Sequence, residues 1–320
     1  MSILITGAAG FIGSNLVKVF LEQKKIVFGI DNLSRGDLSN LDFAKDNNNF
    51  HFKVLNILDF QEFNNFIKEK HLISPIQEVW HLAANSDIPA GIINAEVDLN
   101  DTFMTTFNTL QLMKEFNIPI IVFASSSAIY GNLGEKKLVE DIGPLFPISN
   151  YGAMKLASEV AISASVESHL KQAFIFRFPN VIGIPATHGV IIDFINKLIE
   201  TPNNLNVLGD GTQQKTYLHI EELIDAMLFI RKYSAEKISF FNIGADDEGA
   251  SVKFIAEEVR NVVSPSASIT YGDGNKGWVG DVPKFTYSID KLRSLGWSPK
   301  LSSLESVRKA INQIYKDRLK

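Results

Sequence analysis

The sequence predicts an α/β fold: a doubly wound parallel sheet covered by helices on both faces, followed by a smaller C-terminal α/β lobe. Three observations carry this. Short apolar runs alternate with helical periodicity through the first half of the chain, and such alternation implies right-handed crossovers into a parallel sheet. The first run ends at once in Gly7-Ala8-Ala9-Gly10-Phe11-Ile12-Gly13, the pattern of a tight strand-to-helix turn. After residue 180 the rhythm loosens, broken by Gly183, Pro185, Pro202, Gly209 and Gly211.

Residues 3–6 read as a buried strand, 11–21 as a helix and 25–30 as a second strand running into Asp31. Further strands are predicted at 50–55, 79–83, 119–124 and 173–177, with helices at 60–70, 100–116 and 149–170 between them. The second half predicts helices at 190–200, 221–232, 251–263 and 302–316, and a strand at 239–243. The sheet domain is therefore expected over 1–180 and the lobe over 181–320, with segments of the lobe returning to the sheet.

Composition excludes several function classes. The 31 Lys and Arg against 36 Asp and Glu give a net charge of −5, and with no basic stretch there is no electrostatic footprint for nucleic acid. An anionic ligand must instead meet a local cluster of donors. Cysteine is absent, which excludes disulfides, thiolate metal sites and cysteine nucleophiles and fits a reducing cytoplasm. No metal site is expected. The start, Met1-Ser2-Ile3-Leu4-Ile5-Thr6-Gly7, has no basic region and reaches glycine too soon for a signal peptide. No apolar run reaches the ~18 residues of a membrane span, so a cytoplasmic protein is expected. The 23 phenylalanines are scattered and read as core.

The glycine turn points to a dinucleotide. Its spacing is G-x-x-G-x-x-G, and its glycines let backbone N–H groups approach a pyrophosphate at the positive end of a helix. This is a Rossmann-type reading. Asp31, at the end of the next strand, can accept hydrogen bonds from the adenosine ribose hydroxyls and would repel a 2′-phosphate, which favours NAD over NADP. Arg35 argues the other way, because a nearby arginine can welcome that phosphate; the strand-end carboxylate weighs more. Asn56 and Ile57 close the third strand and can border the adenine. His81-Leu82-Ala83-Ala84 closes the fourth with small residues where a cofactor can pass; His81 itself reads as a structural histidine.

Tyr151 and Lys155 stand four apart on a predicted helix and so share a face. An ammonium beside a phenol favours the phenolate, and a phenol titrating near 10 needs that help to act as a base at neutral pH. Ser126 supplies a hydroxyl able to share the proton and hold a substrate oxygen. Together the three can take a proton from an alcohol while a hydride leaves the same carbon.

These residues resemble the extended short-chain dehydrogenase/reductase family, and within it the nucleotide-sugar 4-epimerases and dehydratases. The matching stretches are Thr6 to Gly13, Asp31-Asn32, His81 to Ala84, Ser125 to Gly131, Tyr151 to Lys155, Arg177-Phe178-Pro179-Asn180, Leu208 to Gln213, His219-Ile220 and Gly280 to Pro283. They follow family order over nearly the whole chain. The resemblance implies that Gly7, Gly10, Phe11, Ile12, Gly13, Asp31, Asn32, Asn56 and Ile57 hold NAD, with Leu82, Ala83, Ala84 and Ser125 beside it. It implies Tyr151 as base, Lys155 on the nicotinamide ribose, and Ser126 as the catalytic hydroxyl. Asn180 and Asp281 are implied contacts to the sugar nucleotide, and a homodimer is implied through the helices at 100–116 and 149–170.

Departures from the family narrow the reaction. The 4,6-dehydratases carry Asp-Glu just after the catalytic hydroxyl, as the acid and base of water elimination; here Ser127 and Ala128 stand there. Sugar-acid decarboxylases also carry Glu at the place of Ala128. The resemblance thus implies a C4 oxidation and reduction: a 4-epimerase of nucleoside-diphosphate hexoses, like those of UDP-glucose and UDP-galactose. A net C4 dehydrogenase or 4-keto reductase shares every motif, and a non-catalytic dinucleotide-binding protein shares the fold. Lys215 and Trp278 replace two arginines that meet the nucleotide phosphates, and lysine lacks the bidentate fork. Phe285 aligns with the position that gates an N-acetyl group, and its bulk points to a plain hexose.

Overall fold

The computed structural model describes residues 2–134, 136–274 and 286–319. The first apolar run forms β1 (Ser2–Thr6), the glycine turn leads into α1 (Phe11–Glu22), and β2 (Ile26–Asp31) and β3 (Phe50–Val54) follow. Next come α2 (Phe60–Ile73), β4 (Ile76–His81), α3 (Thr105–Glu115), β5 (Ile120–Ala124), α4 (Asn150–Ser168), β6 (Gln172–Arg177) and β7 (Ile238–Asn242). The strands build one seven-stranded sheet in the order β7-β6-β5-β4-β1-β2-β3. The pairs β1–β2, β1–β4, β2–β3, β4–β5 and β5–β6 are parallel. This is the expected doubly wound sheet. Its strand order reverses between β1 and β4, and ligands of such sheets bind outside the carboxyl ends of the strands at that reversal.

The core explains why the strands read as continuous apolar runs. Ile3, Leu4, Ile5, Val27, Phe28 and Ile30 are all buried, as strands covered on both faces require. Leu4, Phe28, Phe63, Ile67, Leu110 and Ile175 belong to one cluster that joins the sheet to α2 and α3.

Two local readings are corrected. The fourth strand runs over Ile76–His81 rather than 79–83; Leu82 and Ala83 lie beyond it, their N–H groups donating to Thr6 Oγ1 at 3.1 Å each. The helix expected at 100–116 is a longer, irregular run. It is preceded by Ile88–Ile93 and Ala95–Asp98, and Leu99–Met104 is a π-helix. Thr105, Thr106 and Thr109 each donate a hydroxyl hydrogen bond of 2.8 Å to the carbonyl four residues back, a contact that bends helices.

The chain forms two compact units. The first comprises Met1–Gly131, Pro144–Arg177 and Arg231–Phe241; the second comprises Asn132–Gly143, Phe178–Ile230 and Asn242–Lys320. The second unit has its own core, in which Ile191, Ile195 and Leu198 of the helix Val190–Glu200 meet Ile255 and Val259 of Val252–Val263 and Ile311 of Ser303–Arg318. Ser302 and Glu305 cap the last helix reciprocally. Among the described residues no helix is long and apolar enough to cross a membrane.

Phe63 is fully buried in the first unit's core. Phe63→Ala is expected to lower the stability of that unit by about 3–5 kcal/mol, read as a shifted urea midpoint with an unchanged slope.

Candidate active site and dinucleotide cradle

The β1–α1 turn is shaped by two glycines. Gly7 has φ +69°, and a Cβ there would lie 2.9 Å from the Ala83 backbone nitrogen. A Cβ on Gly13 would lie 2.0 Å from the Gly7 carbonyl oxygen, so only glycine lets α1 pack on the turn. Gly10 caps α1 with no side-chain hydrogen bond, and no acidic residue stands in the first turn. Half-buried Phe11 and Ile12 open the helix. The result is a helix N-terminus with open N–H groups at the switch between β1 and β4.

Asp31 closes β2 beside this turn. Its Oδ2 accepts from the Ala9 N–H at 3.0 Å and its Oδ1 from the Leu33 N–H at 2.8 Å. Burial raises its pKa, and the N–H groups of Leu33, Ala9 and Gly10 pull against that rise. Three N–H donors leave the carboxylate one of its roughly four acceptor sites for a further donor. Asn32 Oδ1 is used locally, accepting from the Ser34 N–H at 3.0 Å and its hydroxyl at 2.8 Å. Arg35 pairs with Asp87 at 2.9 Å, so the cation that argued for NADP is engaged by a carboxylate. Asn56 is exposed and its Oδ1 accepts from the Leu58 N–H at 3.0 Å. Ile57 is buried in the core, and its carbonyl accepts from Asn108 at 3.0 Å. Leu82, Ala83 and Ala84 are half-buried just beyond β4.

His81 is held as a structural residue. Thr6 Oγ1 receives two backbone N–H groups, so its own proton goes to His81 Nδ1, 2.8 Å away. The other ring nitrogen, Nε2, then carries the hydrogen and donates to Thr106 Oγ1 at 3.1 Å, while the Thr106 hydroxyl donates to the Thr102 carbonyl at 2.8 Å. Burial, with a smaller push from Lys155, lowers the ring to about 3. The imidazole is neutral and links β1, β4 and α3.

Ser126 follows β5 and caps the turn Ser127–Tyr130, its Oγ accepting from the Ala128 N–H at 3.2 Å. Tyr151 lies in the first turn of α4, which Ser149 caps. A Cβ on Gly152 would stand 2.5 Å from the Ala128 carbonyl oxygen, so α4 begins directly against the serine turn. This close approach sets the Tyr151 phenol near enough to Ser126 for the serine to pull its pKa down against burial. Lys155 is 3 % exposed. Its Nζ donates to the Ala124 carbonyl at 2.6 Å and lies 5.9 Å from the Tyr151 ring centroid.

Lys155 is buried, whereas Tyr151 and Ser126 are half-buried. Burial raises the Tyr151 pKa, and Ser126 opposes the rise. Burial lowers Lys155 to about 7, against the pull of Glu159 and Asp98. The spacing alone suggested a phenol simply depressed by its lysine. In the structure desolvation is the largest effect on the phenol, opposed by Ser126 and reinforced by Asp98.

In the second unit, Asn180 begins a strand, Asn180–Ile182, paired with Tyr217–His219. Lys215 lies in the pair Gln214–Lys215 with Ala250–Ser251. Trp278, Asp281 and Phe285 lie outside the described residues. Sequence reasoning missed the polar groups behind the site, Thr6, Asn85, Asp98, Glu159 and Arg177. The one signal for Glu159 was its place four residues beyond Lys155.

Comparison with known proteins agrees with this architecture. A solved UDP-galactose 4-epimerase superposes with a TM-score of 0.82 at 31 % identity, covering 99 % of each chain. The UDP-glucuronate 4-epimerase of Thermodesulfobacterium geofontis is 28 % identical over 97 % of this chain and 94 % of its own. The human dTDP-D-glucose 4,6-dehydratase is 24 % identical over 97 % of this chain and 88 % of its own. Residues 3–244 match the model of the NAD dependent epimerase/dehydratase family; with the glycine turn, Asp31 and the Ser126–Tyr151–Lys155 group all within that span, the chain belongs to this family.

Proposed function

We propose that the protein is an NAD-dependent nucleoside-diphosphate-hexose 4-epimerase, acting on a substrate of the UDP-glucose/UDP-galactose type. One observation carries the reading: Tyr151, beside Ser126 and near Lys155, stands against a turn whose residue 128 is alanine rather than the glutamate of water elimination. The names of the relatives, epimerases of UDP-galactose and UDP-glucuronate, support the same class.

The cradle fits NAD. Gly7 and Gly13 leave room that a Cβ would fill, the α1 N-terminus is open, and Asp31 retains acceptor capacity for a ribose. We assign Gly7, Gly10, Phe11, Ile12, Gly13, Asp31 and Asn32 to this cofactor, with Leu82, Ala83, Ala84 and Ser125 along its path. Bound there, NAD supplies a reversible hydride acceptor. Tyr151 takes the proton of the sugar 4-hydroxyl as C4 is oxidised and returns it as C4 is reduced. Ser126 holds that oxygen, and Lys155 provides the cation that favours the phenolate. The 4-keto sugar turns over in the site before it is reduced, so C4 is reduced on its opposite face and the net change is inversion at C4. In the second unit, Asn180 and Lys215 are assigned to the diphosphate.

The test is incubation with UDP-glucose and UDP-galactose, with C4 configuration followed by NMR. Interconversion without NADH accumulation is expected. Net NADH marks a C4 dehydrogenase instead, and loss of water marks a dehydratase. Tyr151→Phe is expected to lower turnover at least ~100-fold while bound NAD is retained; near-normal turnover would reject Tyr151 as the base.

Asp87 is expected to tune cofactor choice by occupying Arg35. Asp87→Asn keeps a side chain able to cap the helix Ile88–Ile93 but frees the guanidinium. Because a part-exposed ion pair is worth under about 1 kcal/mol, the NADP/NAD affinity ratio should rise about two- to fivefold, measured by titration calorimetry.

We also propose a homodimer through α3, α4 and the segment preceding α3. Leu99, Phe107 and Val160 are 43 %, 41 % and 62 % exposed on these elements, a high cost for large apolar side chains in water. Val160→Glu should convert the protein from dimer to monomer in sedimentation velocity.

A further inference from the structure

A buried ionic cluster lies behind the site. Glu159 on α4 is 2 % exposed and Arg177, at the end of β6, is 4 % exposed. The guanidinium grips the carboxylate with two bonds, Nε to Oε1 at 3.0 Å and Nη2 to Oε2 at 2.7 Å. The Ser125 hydroxyl donates to the same Oε1 at 2.5 Å. Arg177 Nη1 donates to the Tyr130 hydroxyl at 3.1 Å, and the guanidinium lies 5.1 Å from the Phe240 ring centroid. A buried ion pair is a weak source of fold stability, because desolvation offsets its attraction. What it holds is more informative.

Every arm of the cluster ends beside a residue of the proposed chemistry. Glu159 is one helical turn beyond Lys155, on the same face. Ser125 adjoins Ser126, and Tyr130 ends the turn that Ser126 caps. Other charged or titratable groups also face Lys155. Tyr151 lies on its own helix, Asp98 comes from Ala95–Asp98, and neutral His81 comes from β4. Among the influences that keep the ammonium charged, Glu159 stands first and Asp98 second.

We propose that Glu159, gripped by Arg177, is a positioning residue: its carboxylate is the counter-charge for the Lys155 ammonium and ties the Ser125–Ser126 turn to α4. The proposal rests on the epimerase reading for its catalytic consequence, but not for its electrostatic one. Removing this anion lowers the proton affinity of the Tyr151–Lys155 pair. It also disfavours the state in which lysine is charged and tyrosine is ionised.

The test is a pH titration of protein labelled with 13C at lysine Cε, with the Lys155 resonance identified by its loss in Lys155→Met. In Glu159→Gln the Lys155 midpoint should fall by about one unit, and in Glu159→Asp, which keeps the charge, it should stay near wild type. Turnover of Glu159→Gln should fall about tenfold on its plateau, with the acid limb of the kcat profile moved to lower pH. Should Glu159→Gln leave the Arg177 charge uncompensated and the chain unfolded, Glu159→Gln combined with Arg177→Met removes both charges, and a smaller fall in the same direction is expected, because loss of the cation offsets part of the effect. An unmoved midpoint in the folded variant overturns the proposal. Absence of wild-type turnover on every UDP-hexose would sink the epimerase reading instead, and the Lys155 titration would still decide the role of Glu159.

Discussion

The organisation of this protein depends on one close contact, that of the Gly7 backbone against Leu82 and Ala83. β1 and β4 lie side by side where the sheet order reverses, and their chains leave in opposite directions. At that point the Gly7 turn approaches so near that a Cβ would stand 2.9 Å from the Ala83 nitrogen. The N–H groups of Leu82 and Ala83 turn toward β1 there, and Thr6 Oγ1 accepts both. Thr6 must then pass its own proton to His81, which hands the chain of donors to Thr106 and α3. A single steric constraint thus fixes the tautomer of a buried histidine and the seat of the helix behind it.

The same kind of contact sets the reactive residues. Tyr151 meets Ser126 because α4 starts flush against the serine turn, with no space for a side chain at Gly152. The gain in geometry comes with desolvation. Tyr151 is raised and Lys155 lowered by burial, the reverse of what a base and its supporting cation need. Ser126 opposes the rise in Tyr151, and Glu159 and Asp98 oppose the fall in Lys155, although Asp98 also raises Tyr151.

How far the sequence reveals this follows from the range of each interaction. The glycine turn, Asp31 and the Tyr151–Lys155 pair were legible because their geometry is set within one turn or one strand end. The strands were legible because burial on both faces makes them continuous apolar runs. The π-helical stretch at Leu99–Met104 was not, since three threonines that bond back to carbonyls leave no trace in hydrophobic periodicity. The Arg177–Glu159 grip was not legible either, because it joins a strand end to a helix through tertiary packing. Arg35 shows the limit from the other side: its proximity in sequence to Asp31 suggested a phosphate ligand, and its nearest anion, Asp87, comes from a distant segment.

Whether elimination chemistry is open to this site turns on its remaining acids, since the family includes dehydratases. Ala128 carries no acid, so another buried carboxyl would have to serve. Glu159 accepts two bonds from Arg177 and one from Ser125, so both of its oxygens are engaged within the protein. Asp98 is the other candidate near the pair: its Oδ1 accepts from Asn85 at 2.7 Å, and its Oδ2 has no partner among the described residues. Yet the Gly91 backbone lies over Oδ2, where even a Cβ would stand 1.7 Å away. Asp98 is closed off on that side, and its charge raises both Tyr151 and Lys155. On the proposed reading, the groups left to move a proton at the sugar are Tyr151 and, through its hydroxyl, Ser126, which fits hydride exchange at C4 better than loss of water.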